Sequence, residues 1–331
     1  MSQSAISGLF ENFKNLKVAI LGDVMLDTYW WGNTDRISPE APVPIVSLQK
    51  KESRVGGAAN VALNVASLGA PTSIISIIGN DADGRDLTAL LAAHGISTKL
   101  LLASEERITT NKTRVMSRNQ QMMRLDAEIT KDISLNLEDE LLQKIKHLFE
   151  LEKPDLLIFE DYNKGVLTAT LIKSVIGLCK EYGVVTTVDP KKKNFLAYQG
   201  VDMFKPNLKE VKDGLNLNIE QVDLAEMKQV HLALQKHLQH QISLITLSEK
   251  GVFYQHDQDA LIIATHVRNI ADVSGAGDTV IAVASMVYAI TKDMHLAAEM
   301  ANIAGGLVCE EVGTAAINRE SLLKESLQLL G

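Results

Sequence analysis

The sequence predicts an α/β protein: a mainly parallel sheet, helices on both of its faces, and a small β-sheet lid. Three observations lead there. Short apolar, β-branched runs alternate with segments of helical period along most of the chain. Asp23, Asp161, Asp189 and Ser248 fall at or just beyond the ends of four such runs, where ligands of parallel sheets gather. Two stretches, 27–48 and 109–126, break this rhythm and read as strands of a separate small sheet.

In chain order, 17–22 (KVAILG) is a first buried strand ending in the turn-forming pair Gly22-Asp23. Helix 58–68, strand 72–78 and helix 84–94 follow. Strands at 155–159, 184–189 and 243–247 come next, separated by helical segments such as 167–182 and 225–238, and 280–290 reads as a buried helix. The first lid segment holds Tyr29, Trp30, Trp31, Pro39, Pro42 and Pro44. The second alternates polar and apolar residues and carries Lys112, Arg114, Arg118 and Arg124. Trp30, Trp31, Met122 and Met123 suit either hairpin core or a contact between two copies. No repeat or long linker divides the chain, so residues 1–331 are read as one domain with that lid.

Composition narrows the class. A chain of 331 residues, 46% hydrophobic and 22% charged, has the balance of a globular protein with a large core. A net charge of −8 and the lack of a long basic run argue against a nucleic-acid surface. Cys179 and Cys309 have no metal spacing and fit a reducing compartment. Residues 1–17 lack the pattern of a secretory signal, and no apolar run approaches the ~20 residues that span a bilayer. A cytoplasmic protein without membrane partners is expected.

The run 272–279 (DVSGAGDT) is the most informative motif. Gly275 and Gly277 allow tight turning and close approach of a ligand. The N–H groups of Gly275, Ala276 and Gly277 at a helix start favour an anion such as a transferring phosphoryl group. Asp278 follows them, able to take the proton of an attacking hydroxyl. Together these are the minimum equipment for phosphoryl transfer. A second motif, 54–60 (RVGGAAN), sets Gly56 and Gly57 before a helix whose first turn bears Asn60. With Asp23 and Asp27 upstream, it could hold a polyol, although a turn residue and a helix cap would look the same. In the third, 204–210 (FKPNLKE), Asn207 and Glu210 share a helical face. They could hold the water shell of Mg²⁺, or form a helix cap with its N3 glutamate. Ser248 and Gly251 follow a strand near where nucleotide phosphates would lie, and Lys191 to Lys193 place cations at another strand end. GxGxxG and GxxxxGK[ST] are both absent, which disfavours dinucleotide and P-loop sites.

With these motifs in this order, the chain resembles the ribokinase-like (PfkB) carbohydrate kinases over essentially its whole length. The resemblance implies a three-layer α/β/α sandwich with a β-lid that often forms a homodimer interface. It implies ATP and Mg²⁺, with a monovalent cation as a further option. By position it makes Asp278 the base and 275–277 the anion hole. It sets Asn207, Glu210, Ser248, Gly251 and Asn302 beside the nucleotide, with the metal at Glu210 through water. Asp23, Asp27, Gly56, Gly57 and Asn60 go to the sugar, and Lys112, Arg114, Arg124 and Lys191 to a distal phosphate. Ser274 stands where many relatives have threonine, keeping the hydroxyl. Segments 36–44 (RISPEAPVP), 161–167 (DYNKGVL) and 188–191 (VDPK) resemble one branch of the family. That branch phosphorylates the anomeric hydroxyl of D-glycero-β-D-manno-heptose 7-phosphate on the route to ADP-heptose for lipopolysaccharide core. Many of its members are fused to an adenylyltransferase with an HxGH motif, which is absent here; a stand-alone kinase and a kinase half both stay open. So do a kinase of another sugar and a non-catalytic sugar-phosphate sensor.

Overall fold

The computed structural model describes residues 2–118, 120–266 and 268–331. The main sheet grows outward from β1 (Val18–Gly22), which pairs in parallel with β4 (Thr72–Gly79) on one side and β8 (Leu156–Glu160) on the other. Beyond β4 lies β5 (Ser97–Ser104). Beyond β8 come β9 (Val185–Asp189), β10 (Met203–Phe204) and β11 (Ile242–Thr246), all parallel. An antiparallel hairpin, β12 (Val252–His256) and β13 (Asp259–Ile263), closes that edge and gives a nine-stranded sheet.

Alternation along β1 shows how the layers form. Val18 and Ile20 point into one apolar cluster while Ala19 and Leu21 point into the other, as the two-residue period of a strand requires. The first cluster is packed by α1 (Gln3–Asn12), α2 (Ala58–Ser67), α3 (Ala82–Ala93), α8 (Ala276–Thr291), α9 (Met294–Val308) and α10 (Arg319–Leu330). The second is packed by α4 (Leu135–Glu152), α5 (Ala169–Tyr182), α6 (Leu208–Leu215) and α7 (Leu224–Leu238). The expected three-layer sandwich is present. No helix among the described residues is long and apolar enough to cross a membrane.

A separate four-stranded sheet is also present, ordered β3 (Pro44–Gly57), β2 (Val24–Ile37), β6 (Asn111–Ser117), β7 (Gln120–Ala127). Its bounds correct the expected lid segments 27–48 and 109–126. The first two strands reach back to Val24 and on to Gly57 because their inner ends, Val24, Leu26 and Val55, belong to the body's apolar core. The inner ends of these lid strands are thus buried in the body, and the glycine pair expected before a helix is there, as the last two residues of β3 directly ahead of α2. Register puts Asp27, Tyr29, Arg54, Lys112, Arg114, Arg124 and Asp126 on one face. That face looks toward the body, since Arg54 Nη1 donates to the carbonyls of Val312 (2.8 Å) and Thr314 (3.2 Å).

Candidate active site

The motif residues converge at the carboxyl ends of β1, β8 and β9, where the strand order reverses. Gly275 caps α8 with φ +81, and Asp278 sits one turn in, 4% exposed. The loop before it is tied down by Asp272, whose carboxylate accepts from the Ser274 N–H (2.9 Å), the Ser274 hydroxyl (2.8 Å) and the Gly313 N–H (3.0 Å). The Ala276 N–H turns back to the Val273 carbonyl at 3.3 Å. Of the three-residue anion hole the sequence predicts, that donor is engaged within the loop, while Gly277 and Asp278 offer N–H groups without helical acceptors.

Both oxygens of Asp278 are oriented. Asn60 Nδ2 donates to Oδ2 at 2.7 Å and the Tyr162 hydroxyl donates to Oδ1 at 2.8 Å. Burial pushes the Asp278 carboxyl up to about 6, and these two donors hold it back from rising further. The Tyr162 phenol is itself held well above its usual range by burial and by the Asp278 charge, so it stays a donor. Asn60, which the resemblance assigns to the sugar, is in the structure a hydrogen-bond donor to Asp278.

Replacing Gly275 tests this support. A Cβ there would lie 2.8 Å from Asn60 Nδ2 and 3.1 Å from Thr314 Cγ2, on a left-handed residue. Gly275→Ala is expected to cost about 1–2 kcal/mol in unfolding free energy from the backbone alone. Turnover should fall with it as Asn60 is displaced; wild-type values for both would contradict the arrangement.

Other expected residues have partners that narrow their roles. Asp23 is buried, and its carboxylate accepts the N–H groups of Tyr162 (2.9 Å), Lys164 (3.0 Å) and Val166 (3.1 Å). It anchors the loop after β8, which corrects the expectation of a carboxylate free for two sugar hydroxyls. Asp161 secures the same loop, accepting from the Tyr198 hydroxyl and the Asn163 N–H, both at 2.8 Å. Asp27 is ion-paired with Arg114, and a side chain at Gly56 would strike it. Gly57, at φ +58, lies against the Asp23 carbonyl. Arg124 pairs with Asp126 along its own strand at 2.8 Å. Lys112 is half-buried, with its Nζ 5.4 Å from the centre of the Tyr162 ring, and burial draws its ammonium below the ordinary value.

Asn207 and Glu210 form a reciprocal capping box: each side chain accepts the other's backbone N–H at 2.8 Å. The second Glu210 oxygen lies 2.7 Å from Lys191 Nζ. Lys191 also reaches Asp189 at 3.0 Å and lies 5.3 Å from the Tyr162 ring centre. Burial opposes its charge, but Asp189 and Glu210 outweigh that and hold the ammonium above its usual range. Lys191 is thus committed to carboxylates rather than free for a phosphate. Ser248 stands exposed in the turn after β11, and Gly251, at φ +94, closes it against the Ile263 carbonyl. Asn302 on α9 donates to the Ala264 carbonyl at 2.8 Å.

Four residues here went without a role in the sequence reading: Tyr162, Glu160, Lys205 and Arg54. Lys205 is 2% exposed and its Nζ lies 2.7 Å from Asp189 Oδ2. Burial raises the Glu160 carboxyl well above its usual range, helped by Asp189 and Asp278. A charge closing the apolar run LLIFE, and a lysine just before the Pro-Asn pair, were the available signals.

A family model described as pfkB family carbohydrate kinase matches residues 15–321. Among curated relatives, a bifunctional protein HldE from Marinomonas is 40% identical over 312 residues, covering 94% of this chain and 64% of its own. A bifunctional protein HldE from Sulfurimonas denitrificans is 36% identical over 302 residues, covering 91% and 62%. The chain thus spans less than two thirds of the length of these relatives. Among solved structures, phosphofructokinase-2 from Escherichia coli in complex with potassium superposes with a TM-score of 0.80 at 18% identity, covering 96% of this chain and all of the other. Arabidopsis thaliana ribokinase complexed with ribose and ATP gives 0.71 at 17%, covering 93% and 98%.

Proposed function

The chain belongs to the pfkB family of carbohydrate kinases, and from that premise we propose that it transfers the γ-phosphoryl group of ATP to the anomeric C1 hydroxyl of D-glycero-β-D-manno-heptose 7-phosphate. The observation that carries the chemistry is the buried Asp278 carboxylate, oriented on both oxygens at the start of α8. The heptose rests on segments 36–44, 161–167 and 188–191, and on relatives named HldE.

Asp278 accepts the C1 proton as the sugar oxygen moves in line toward the γ-phosphorus. Asn60 and Tyr162 keep the carboxylate aimed during that transfer. The Gly277 and Asp278 N–H groups and the α8 dipole face the charge that develops on the transferring oxygens. Magnesium, when bound with ATP, offsets charge on the β and γ phosphates. The oxygen-rich set of Asp189, Glu210 and Asn207 suits such a hard cation, although in the structure one Glu210 oxygen accepts the Asn207 N–H and the other is paired with Lys191. Potassium is the monovalent ion to try as an activator, given its presence in the phosphofructokinase-2 relative. Lys112 on the inner lid face is the best-placed cation for the 7-phosphate, being the one of the four candidates that lies over an aromatic ring and forms no carboxylate ion pair among the described residues. A homodimer through the lid is part of the proposal: Leu48, Met123 and Leu125 expose apolar surface there.

The test is ADP release with Mg·ATP and the heptose 7-phosphate beside ribose, fructose and fructose 6-phosphate. Turnover confined to the heptose phosphate is expected. Preference for another sugar would discard the substrate while keeping the site. The base also sets a pH dependence. It works ionised, and its carboxyl lies at about 6, so kcat/KM should be flat above that pH and fall about tenfold per unit below it. A flat profile down to pH 4.5 would contradict Asp278 as the base.

A further inference from the structure

We propose that Arg54, on lid strand β3, is a positioning residue for phosphoryl transfer that holds the loop ahead of α8 by way of residues 312–314; the role rests on the kinase reading above. The backbone creates the need for such a hold. The Gly277 and Asp278 N–H groups have no helical acceptors, so their aim depends on the loop 271–275 that leads into them. That loop belongs to neither sheet nor helix and hangs on the equally irregular chain after α9. The Ala271 and Asp272 N–H groups donate to the Cys309 carbonyl at 2.8 and 3.2 Å, and the Gly313 N–H donates to Asp272 Oδ2 at 3.0 Å. Burial opposes the charge on Asp272, but the Ser274 and Gly313 donors outweigh it and keep the carboxyl below its usual range. These are therefore charge-assisted bonds, the stronger kind.

Whatever fixes 312–314 also fixes this loop, and Arg54 does so from the lid. Its Nη1 bridges the carbonyls of Val312 and Thr314, on either side of Gly313. The guanidinium is itself locked. Nε donates to Glu52 Oε1 at 2.7 Å, and Cζ lies 5.3 Å from the centre of the Tyr29 ring, which stacks in turn on Trp31. The fit is close: a Cβ at Gly313, with φ +75, would lie 2.9 Å from both Arg54 Nη1 and the Tyr29 hydroxyl oxygen. Thr314 touches both partners. Its hydroxyl reaches Asp27 Oδ2 on the lid at 3.4 Å, and its Cγ2 would stand 3.1 Å from a Cβ at Gly275, the cap of α8. Lid, segment 312–314, Asp272 and the start of α8 thus form one continuous series of contacts. A lid that swings outward withdraws Arg54 and frees the loop, so the N–H groups of Gly277 and Asp278 are aimed only while the lid is docked.

The experiment compares R54M with the wild type by hydrogen exchange without ligands and by steady-state kinetics on the best sugar of the panel. Exchange across 272–279, where the Ser274, Ala276 and Thr279 N–H groups are hydrogen-bonded, should quicken at least ~10-fold while β8 and α5 exchange as before. The variant's kcat should fall at least ~10-fold, with KM for ATP and for the sugar within about threefold of wild type. R54Q takes its place should R54M not fold. Unchanged exchange across 272–279, unchanged kcat, or a loss confined to the sugar KM would each overturn the proposal. If the wild type turns over no sugar, the kinase reading fails, and exchange alone decides whether Arg54 holds the loop.

Discussion

Asp278→Asn is expected to lower kcat by about 10²–10⁴-fold while leaving sugar-phosphate and nucleotide affinities nearly unchanged. The amide keeps the size of the carboxylate and can still meet Asn60 and Tyr162, so the start of α8 should hold its shape. What it loses is the ability to take the hydroxyl proton. Steady-state kinetics beside binding isotherms separate the two effects. Near-normal turnover would remove Asp278 from the base role, and a matching loss of affinity would make it a binding residue instead.

Lys205→Met is expected to be the most damaging single change to stability. Lys205 is a buried ammonium whose Nζ holds Asp189 at 2.7 Å. Burial works against its charge, yet Asp189, Glu210 and Glu160 keep the ammonium above its usual range. Methionine fills much of the same volume but, among the described residues, leaves Asp189 with Lys191 as its one cation, beside Glu160, which has no hydrogen-bond partner there. Breaking a buried pair from one side typically costs about 3–5 kcal/mol. Denaturant unfolding of the two proteins in the absence of metal measures it, and an unchanged midpoint would show that the lysine contributes nothing there.

The strands of the sheet were legible because buried parallel strands are written locally, as in KVAILG and LLIF, and the start of α8 was legible because its glycines and Asp278 are contiguous. The antiparallel hairpin of β12 and β13 was not anticipated, since VFYQH and DALII at a sheet edge mix polar and apolar residues without a clear period. The lid segments were read too short, because the inner ends of β2 and β3 are buried in the body's apolar core and nothing in the sequence marks where core gives way to lid. Roles that depend on distant partners were the least legible. Asn60 lies 218 residues from Asp278, and Tyr162 lies 116 from it. Asp23 read as a free carboxylate because the loop that occupies it arrives 139 to 143 residues later. The pair Asn207 and Glu210 was spaced for two readings, and the capping box is the one whose hydrogen bonds are formed in the structure.

Identification of the product tests the central claim most directly. Incubation of the heptose 7-phosphate with Mg·ATP, followed by phosphorus–proton correlation NMR of the isolated sugar, locates the new phosphoester. A second phosphate on the anomeric carbon is the predicted result. A phosphate on any other carbon, or ATP consumed with no new sugar phosphoester formed, would contradict it.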